Sequence, residues 1–339
     1  MKENPSKASI DDVASLAGVS TATVSRTFSK PEMVSSKTRQ RVQKAADQLG
    51  FYVSRTAAVL KSGRTHRIAF LFGGAEIDWF TAKIIEGLNA ALRDAGYDLV
   101  VYPLGRSETP KDFIGNTPLR GNADALIVSS LLVEREQCEH LNKAGLPIVG
   151  INSASPGMNA SVAIDDTRAT ATALRYLTDL GHTDICYVYE HFHSDHLFSS
   201  YERINTFREF FDLNPHINGR LIHLTPGTDS RGDVIGSMLA MDPRPTALLF
   251  HQDSLAIPFF FTMQQTGLSI PQDISVMGFD DSEFSDAVGL TTTRQEPAAM
   301  ARLAARKTIA LIEKGAVDDP YETAETQLVI RNSVIRHAE

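Results

Sequence analysis

From His66 onward, short apolar runs alternate with stretches of helical patterning, and this alternation restricts the possible fold more than any other feature. The runs are RIAFLF (67–72), YDLVVY (97–102), DALIVS (124–129), PIVGIN (147–152), DICYVY (184–189), TALLFH (246–251) and ISVMGF (274–279). Helical patterning occupies 80–95, 131–144, 167–180, 203–212, 231–240, 254–266 and 298–314. Runs that are apolar throughout suit strands buried on both faces. The rhythm therefore predicts parallel sheets covered by helices on each side. More than a dozen elements exceed one comfortable sheet, so two similar subdomains are expected.

The first 65 residues are patterned differently. Ser9-Ile10-Asp11-Asp12 has the capping-box spacing, and Ile10, Val13, Ala14 and Ala17 follow at helical spacing. Gly18 stops that helix, because only glycine enters the left-handed region without cost. Ser20 can cap a second helix over about 21–28, with Val24 and Phe28 on one face. A third begins near Ser35 or Ser36 and ends at Gly50, with an apolar stripe of Val42, Ala45, Ala46 and Leu49. Two helices on a tight glycine turn, closed by a third, form a helix-turn-helix unit. The second helix shows small and polar residues outward: Thr21, Ala22, Thr23, Ser25 and Arg26. Small residues allow close approach to a major groove, and an arginine can read base edges bidentately. A plain three-helix bundle with Arg26 merely exposed has the same spacing.

Charge separates the two parts. Residues 1–65 hold 11 Lys/Arg against 5 Asp/Glu, a net +6, whereas the remainder is −14. A basic head on an acidic body suits a polyanion partner for the head alone, although a solvated charged face would look similar. No uncharged apolar run reaches membrane-spanning length, and MKENPSKASIDD lacks the apolar core of a signal peptide. Cys138 and Cys186 are far apart and form no CxxC pair. A reduced, cytoplasmic protein is expected, nucleoid-associated when bound to DNA.

The stretch IDDVASLAGVSTATVSRTFSKPEMVSSKTRQRVQKAADQLGF resembles the DNA-binding domain of the LacI/GalR repressor family, ungapped through DVA, AGVS, TVSR, VS-x-x-TR-x-RV and LG. SRTAAVLKSGRT resembles that family's hinge helix. The resemblance implies an all-α helix-turn-helix domain (1–52), a hinge helix and linker (53–65) and an effector-binding core (66–339). It implies base reading by Thr21, Ala22 and Arg26, and phosphate contact by Ser20, Thr23, Ser25 and Thr38. Leu60 would wedge into the minor groove, with Ala57 and Lys61 beside it. Three positions depart from the family: Phe51 for a common Tyr, Val53-Ser54 for Pro-Asn, and Ser29 for a frequent Asn.

The core resembles the family's α/β, periplasmic-binding-protein-like body through LGHTDICYV, RPTALLFHQD, IPQDISVMGFDD and LTTTRQEP. Two Rossmann-like subdomains are implied, one of about 66–164 and 292–322 and one of about 165–291 and 323–339. The chain would cross between them near 163–166, 290–292 and 321–324. Ligand would sit between them, beyond the carboxyl ends of the strands. Asp280 and Arg203 match the family's effector-binding Asp and Arg. Gln252, Asn152 and Gln295 add amides at strand ends, a set suited to a polyhydroxylated ligand. Phe80, and with less specificity Trp79, could stack on a sugar ring or a base.

His191, His193 and His196 follow one strand closely. They raise a metal site as one reading and a polar loop at the cleft rim as the expected one. No metal or cofactor is expected. There is no P-loop, GxSxG, HExxH or complete GxGxxG pattern, so an enzyme is not expected, and the basic head argues against a secreted sugar-binding protein. The expected protein is a homodimeric repressor, with a tetramer open, on double-stranded operator DNA and away from membranes. A small effector would control its affinity. A sugar is favoured; a nucleoside or purine, and corepression in place of induction, are the alternatives.

Overall fold

The computed structural model describes residues 8–29, 31–51, 63–74, 77–105, 108–190, 198–224 and 231–337, which divide into a unit up to Thr65 and a unit from His66. In the first unit, α1 (Ile10–Ala17) starts at a complete capping box. Ser9 Oγ accepts the Asp12 N–H at 3.2 Å, and the Asp12 carboxylate accepts the Ser9 N–H at 2.7 Å. Gly18 ends α1 at φ 63°. In α2 (Thr21–Ser29) the Thr23 N–H donates to Ser20 Oγ at 3.2 Å. A 3-10 turn at Pro31–Met33 leads to α3 (Ser36–Leu49), capped by Ser35 and ended by Gly50 at φ 60°.

Val13, Ala14, Ala17, Val24, Val42, Ala45 and Ala46 form the buried core of this unit, with Phe28 and Phe51 packed against it. Leu49 does not complete the stripe and is 37% exposed. The chain reverses at Gly50, and Phe51 packs its ring 6.1 Å from that of Phe28. Arg41, counted above in the basic excess, serves the fold. Its Nη2 donates to the carbonyls of Ala17 (2.5 Å) and Gly18 (3.1 Å) and satisfies the open end of α1.

The second unit contains two six-stranded sheets. Its elements run β1 (Arg67–Gly73), α4 (Trp79–Asp94), β2 (Asp98–Leu104), α5 (Pro110–Asn116), β3 (Ala125–Ser129), α6 (Arg135–Lys143), β4 (Ile148–Ile151), β5 (Ala160–Ile164) and α7 (Asp166–Asp179). They continue with β6 (Asp184–Glu190), α8 (Phe198–Leu213), β7 (Asn218–Leu224), α9 (Arg231–Ala240), β8 (Ala247–Phe250), α10 (Asp253–Thr266), β9 (Ser275–Asp280), β10 (Thr291–Arg294), α11 (Pro297–Lys314), β11 (Tyr321–Ala324) and β12 (Gln327–Val329). The sheet orders are β2-β1-β3-β4-β5-β11 and β7-β6-β8-β9-β10-β12. Both are parallel except where β12 meets β10. Each sheet reverses its winding beside its first strand, the geometry that opens a crevice at the strand ends.

All seven apolar runs became strands. The chain passes from the first sheet towards the second between Ile164 and Asp166. The second crossing lies at Gln295-Glu296 and not at 290–292, because β10 pairs with β9 and β12 and so belongs to the second sheet. The third falls between Ala324 and Gln327 and not within 321–324, because β11 pairs with β5. Polar TTTR carries no apolar signature, yet Thr291, Thr292 and Thr293 are buried. Burial is tolerated because partners exist: Thr292 Oγ1 donates to Asp253 at 2.8 Å, and the Thr291 N–H donates to Ser333 Oγ at 2.7 Å.

The first subdomain's core depends on close contact between α4 and α11. A Cβ added at Gly87 would lie 2.3 Å from the Ala298 carbonyl oxygen and 2.8 Å from Ala301 Cβ. Gly87→Val is therefore expected to lower stability by about 1–3 kcal/mol. Urea titration of the full chain checks this, and an unchanged midpoint would refute the close packing.

Candidate nucleic-acid interface and effector cleft

In the head, Thr21, Ala22 and Arg26 are exposed on α2, while Thr23 and Ser25 are partly covered. Among the described residues Arg26 holds no ion pair, so its guanidinium is available to an outside partner. Ser20 Oγ lies 2.9 Å from Thr23 Oγ1, which groups two hydroxyls at the N-terminus of α2. Thr38 sits at the corresponding place on α3, its Oγ1 accepting from Ser35 Oγ at 2.9 Å. Helix N-termini bearing hydroxyls are suited to phosphate oxygens. Ala57, Leu60 and Lys61 lie outside the described residues, as do His191, His193 and His196.

In the core, the carboxyl ends of β1, β3, β4, β8, β9 and β10 converge on a cavity of about 110 Å³. Its lining includes Phe80, Asn152, Arg203, Gln252, Asp280 and Gln295, six of the seven expected effector residues. Trp79 lines instead an adjoining groove of about 570 Å³ that shares Asp78, Phe80 and Asp280 with the cavity. Its indole N–H is buried with no hydrogen-bond partner among the described residues.

Three of these residues bond to one another. Gln295 Nε2 donates to Asp280 Oδ1 at 2.7 Å, and Asn152 Nδ2 donates to Gln295 Oε1 at 3.2 Å. Asn152 Oδ1 accepts the Ile164 N–H at 3.0 Å. A continuous chain thus runs from β4 of the first subdomain, through the crossing residue Gln295, to β9 of the second. Asn152 at φ 45° and Asp280 at φ 121° both occupy backbone conformations that L-residues rarely adopt. Strain of this kind clusters at functional sites.

Arg203 is buried, and its partner is Asp166, not Asp280. Nε donates to Asp166 Oδ1 at 2.6 Å, Nη1 donates to the His251 carbonyl at 2.9 Å, and the guanidinium lies 3.5 Å over the Phe279 ring. Burial opposes its charge, and Asp166, together with Tyr187 and Asp280, more than restores it. Burial, followed by the nearby Arg203 charge, pushes the His251 pKa well below its ordinary value. His251 is therefore neutral, and its Nδ1 lies 2.7 Å from the Tyr187 hydroxyl. Burial, reinforced by the Asp253 charge, pushes the Asp280 carboxyl well above the usual range.

Sequence reasoning did not single out Asp166, His251, Asp253 or Ser199. His251 was findable, since it ends an apolar run. Asp253 is wholly buried at the start of α10, and its carboxylate accepts Ser285 Oγ (2.5 Å), the Ser282 N–H (2.9 Å) and Thr292 Oγ1 (2.8 Å). Gly278 makes room for it: a Cβ there would lie 2.0 Å from Asp253 Oδ1. Asp281 forms ion pairs with Arg294 (2.5 Å) and Arg331 (2.7 Å), which tether the backbone beside Asp280. Only the tertiary fold brings these partners together.

Residues 9–54 match the family model for bacterial regulatory proteins, lacI family, and residues 174–334 match a periplasmic binding protein-like domain. The chain is 30% identical over 334 residues to the HTH-type transcriptional repressor PurR of Vibrio parahaemolyticus serotype O3:K6, covering 96% of this chain and 98% of that protein. The chain belongs to the lacI family of bacterial regulatory proteins. The family consists of DNA-binding transcription regulators, not enzymes. A second lacI-family relative, the HTH-type transcriptional regulator GalR of Salmonella typhimurium, is 29% identical over 335 residues, with 96% of each chain covered. The fold matches that of a lac repressor dimer bound to operator and the anti-inducer ONPF, with TM-score 0.81 at 22% identity, covering 97% of this chain and 99% of that one. A lacI-family regulator from Enterococcus faecium with bound ribose has TM-score 0.68 at 19% identity, covering 80% of this chain and all of that one. No helix among the described residues is long and apolar enough to cross a membrane.

Proposed function

We propose that this lacI-family protein is a cytoplasmic, homodimeric repressor whose affinity for a pseudo-palindromic operator is set by a sugar-like effector in the interdomain cleft. The observation that carries the reading is the polar set at the strand ends: Asp280, Arg203, Gln252, Gln295 and Asn152 line one cavity beside Phe80. A carboxylate, a guanidinium and amides around an aromatic face match the alternating donors and acceptors of a sugar. The lac repressor bound to operator and the regulator with bound ribose support the two halves of this reading. Phe80 beside Phe72 equally offers stacking to a planar base, so a nucleoside is the second reading.

In the head, Arg26, Thr21 and Ala22 read base edges, and Ser20, Thr23, Ser25 and Thr38 contact phosphates. In the core, an effector hydrogen-bonded to Asp280 competes with Gln295. That bond is shared, through Asn152, with the other subdomain, so occupancy alters the register between the two. Linkage then requires operator and effector to change each other's affinity by one factor.

Selection from random duplexes followed by gel shift tests the operator half. Neutralising about 6–10 phosphates makes affinity fall roughly 10³- to 10⁵-fold between 50 and 200 mM salt. Absence of steep salt-dependent binding would refute it.

A further inference from the structure

The charges around the cavity restrict the effector further; this step rests on the effector-cleft reading above. Among the described residues lining the cavity and its adjoining groove, the cations are Arg203 and Lys83. Each already has its own carboxylate. Arg203 is held by Asp166 at 2.6 Å with both side chains buried, and Lys83 is held by Glu86 at 2.9 Å. His251 stays neutral for the reason given above. Asp280, Asp78 and Glu283 line the same space and form no direct ion pair among the described residues, although Arg203 acts on Asp280 and Lys83 on Glu283 from further away; Asp253, near Asp280, is wholly buried.

Helix N-termini, the usual substitute for a cation, are compromised here. Asp78 fills the N-terminus of α4 with its own carboxylate, whose Oδ1 accepts the Thr81 N–H at 2.8 Å. Asp253 occupies the first turn of α10. The first turn of α8 contributes Ser199, a buried hydroxyl with no partner among the described residues. A helix N-terminus supplies about half a positive charge, and those of α4 and α10 already have a carboxyl group of their own in place. The unpartnered atoms Ser199 Oγ and Trp79 Nε1 are neutral groups, which suit hydroxyls and ring oxygens of a ligand.

We infer that the cleft selects a hydroxyl-rich effector bearing no phosphate or carboxylate group. A phosphorylated derivative would place its negative charge against Asp78 and beside the buried carboxyl of Asp280, with no unpaired cation among the described lining residues to receive it. At separations near 5 Å and an effective dielectric near 20, this weakens binding on the order of 100-fold.

The test uses the full-length protein in phosphate-free buffer. A metabolite extract of the expressing cells is split on a strong anion exchanger. Melting temperature is then read with the flow-through and with the eluted anions, for the native chain and for Asp280→Ala. Glucose, ribose and adenosine are compared in parallel with glucose 6-phosphate, ribose 5-phosphate and AMP. The expected result is a rise with the flow-through alone, lost in Asp280→Ala, and weaker binding by the phosphorylated member of any pair that binds. A rise with the anion fraction that Asp280→Ala abolishes, or equal binding by a phosphorylated member, would overturn the inference and leave the effector cleft standing. No Asp280-dependent rise with either fraction would overturn the cleft reading itself, and this inference with it.

Discussion

Arg26→Ala is expected to abolish operator discrimination while leaving effector binding unchanged. Arg26 is exposed on α2 and, among the described residues, has no internal ion pair to preserve. A bidentate arginine–guanine pair contributes about 1–3 kcal/mol of discrimination. The proposed homodimer would read two half-sites, so the expected loss is about 2–6 kcal/mol, roughly 30- to 10⁴-fold. Competition between selected operator and scrambled duplex measures it. Because the residue lies on the surface, the melting temperature should not move. Retained discrimination would reassign the reading of bases to other residues. An equal loss of effector binding would overturn the division of labour between head and core.

Asp280→Ala is expected to remove the effector response and leave DNA binding intact. Removing one partner of a buried hydrogen bond, so that the other is left unsatisfied, costs about 1–3 kcal/mol of affinity. The unliganded protein should not suffer in proportion. Burial and the Asp253 charge already disfavour the Asp280 carboxylate, and its backbone sits at φ 121°. A group held at such a cost to the fold is the trade expected of a residue that serves a ligand, which is the role proposed for it. Calorimetry with the effector, beside thermal unfolding of the free protein, separates the two contributions. An effector response that survives the substitution would place the binding determinants elsewhere in the cleft. A collapse of stability with response retained would make Asp280 a structural residue.

Much of the protein was legible without coordinates. Ser9 and Asp12 declare a capping box by spacing alone, and Gly18 and Gly50 mark helix ends because local backbone geometry demands them. These are interactions between near neighbours, so the sequence carries them whole. The seven apolar runs likewise declare strands, since burial on both faces requires uninterrupted apolar side chains. The candidate site was partly legible for a related reason: ligands in such folds lie beyond strand ends, and Asn152, Gln252 and Asp280 stand at the ends of recognisable runs.

Tertiary structure decided whatever depends on partners distant in the chain. TTTR reads as polar, and it becomes a central strand only because Asp253 and Ser333 receive its buried groups. Leu49 fits the stripe of α3 by spacing, but the reversal at Gly50 lets Phe51 take the place beside Phe28. Nothing in the sequence joins Arg203 to Asp166, 37 residues away; only the packing of α7 against α8 does. The alternation of strand and helix was thus set by local pattern, because each element must bury its own apolar face. The course of the chain between the subdomains, and the charge its cleft presents to a ligand, were set by hydrogen bonds and ion pairs that exist only once both sheets have formed.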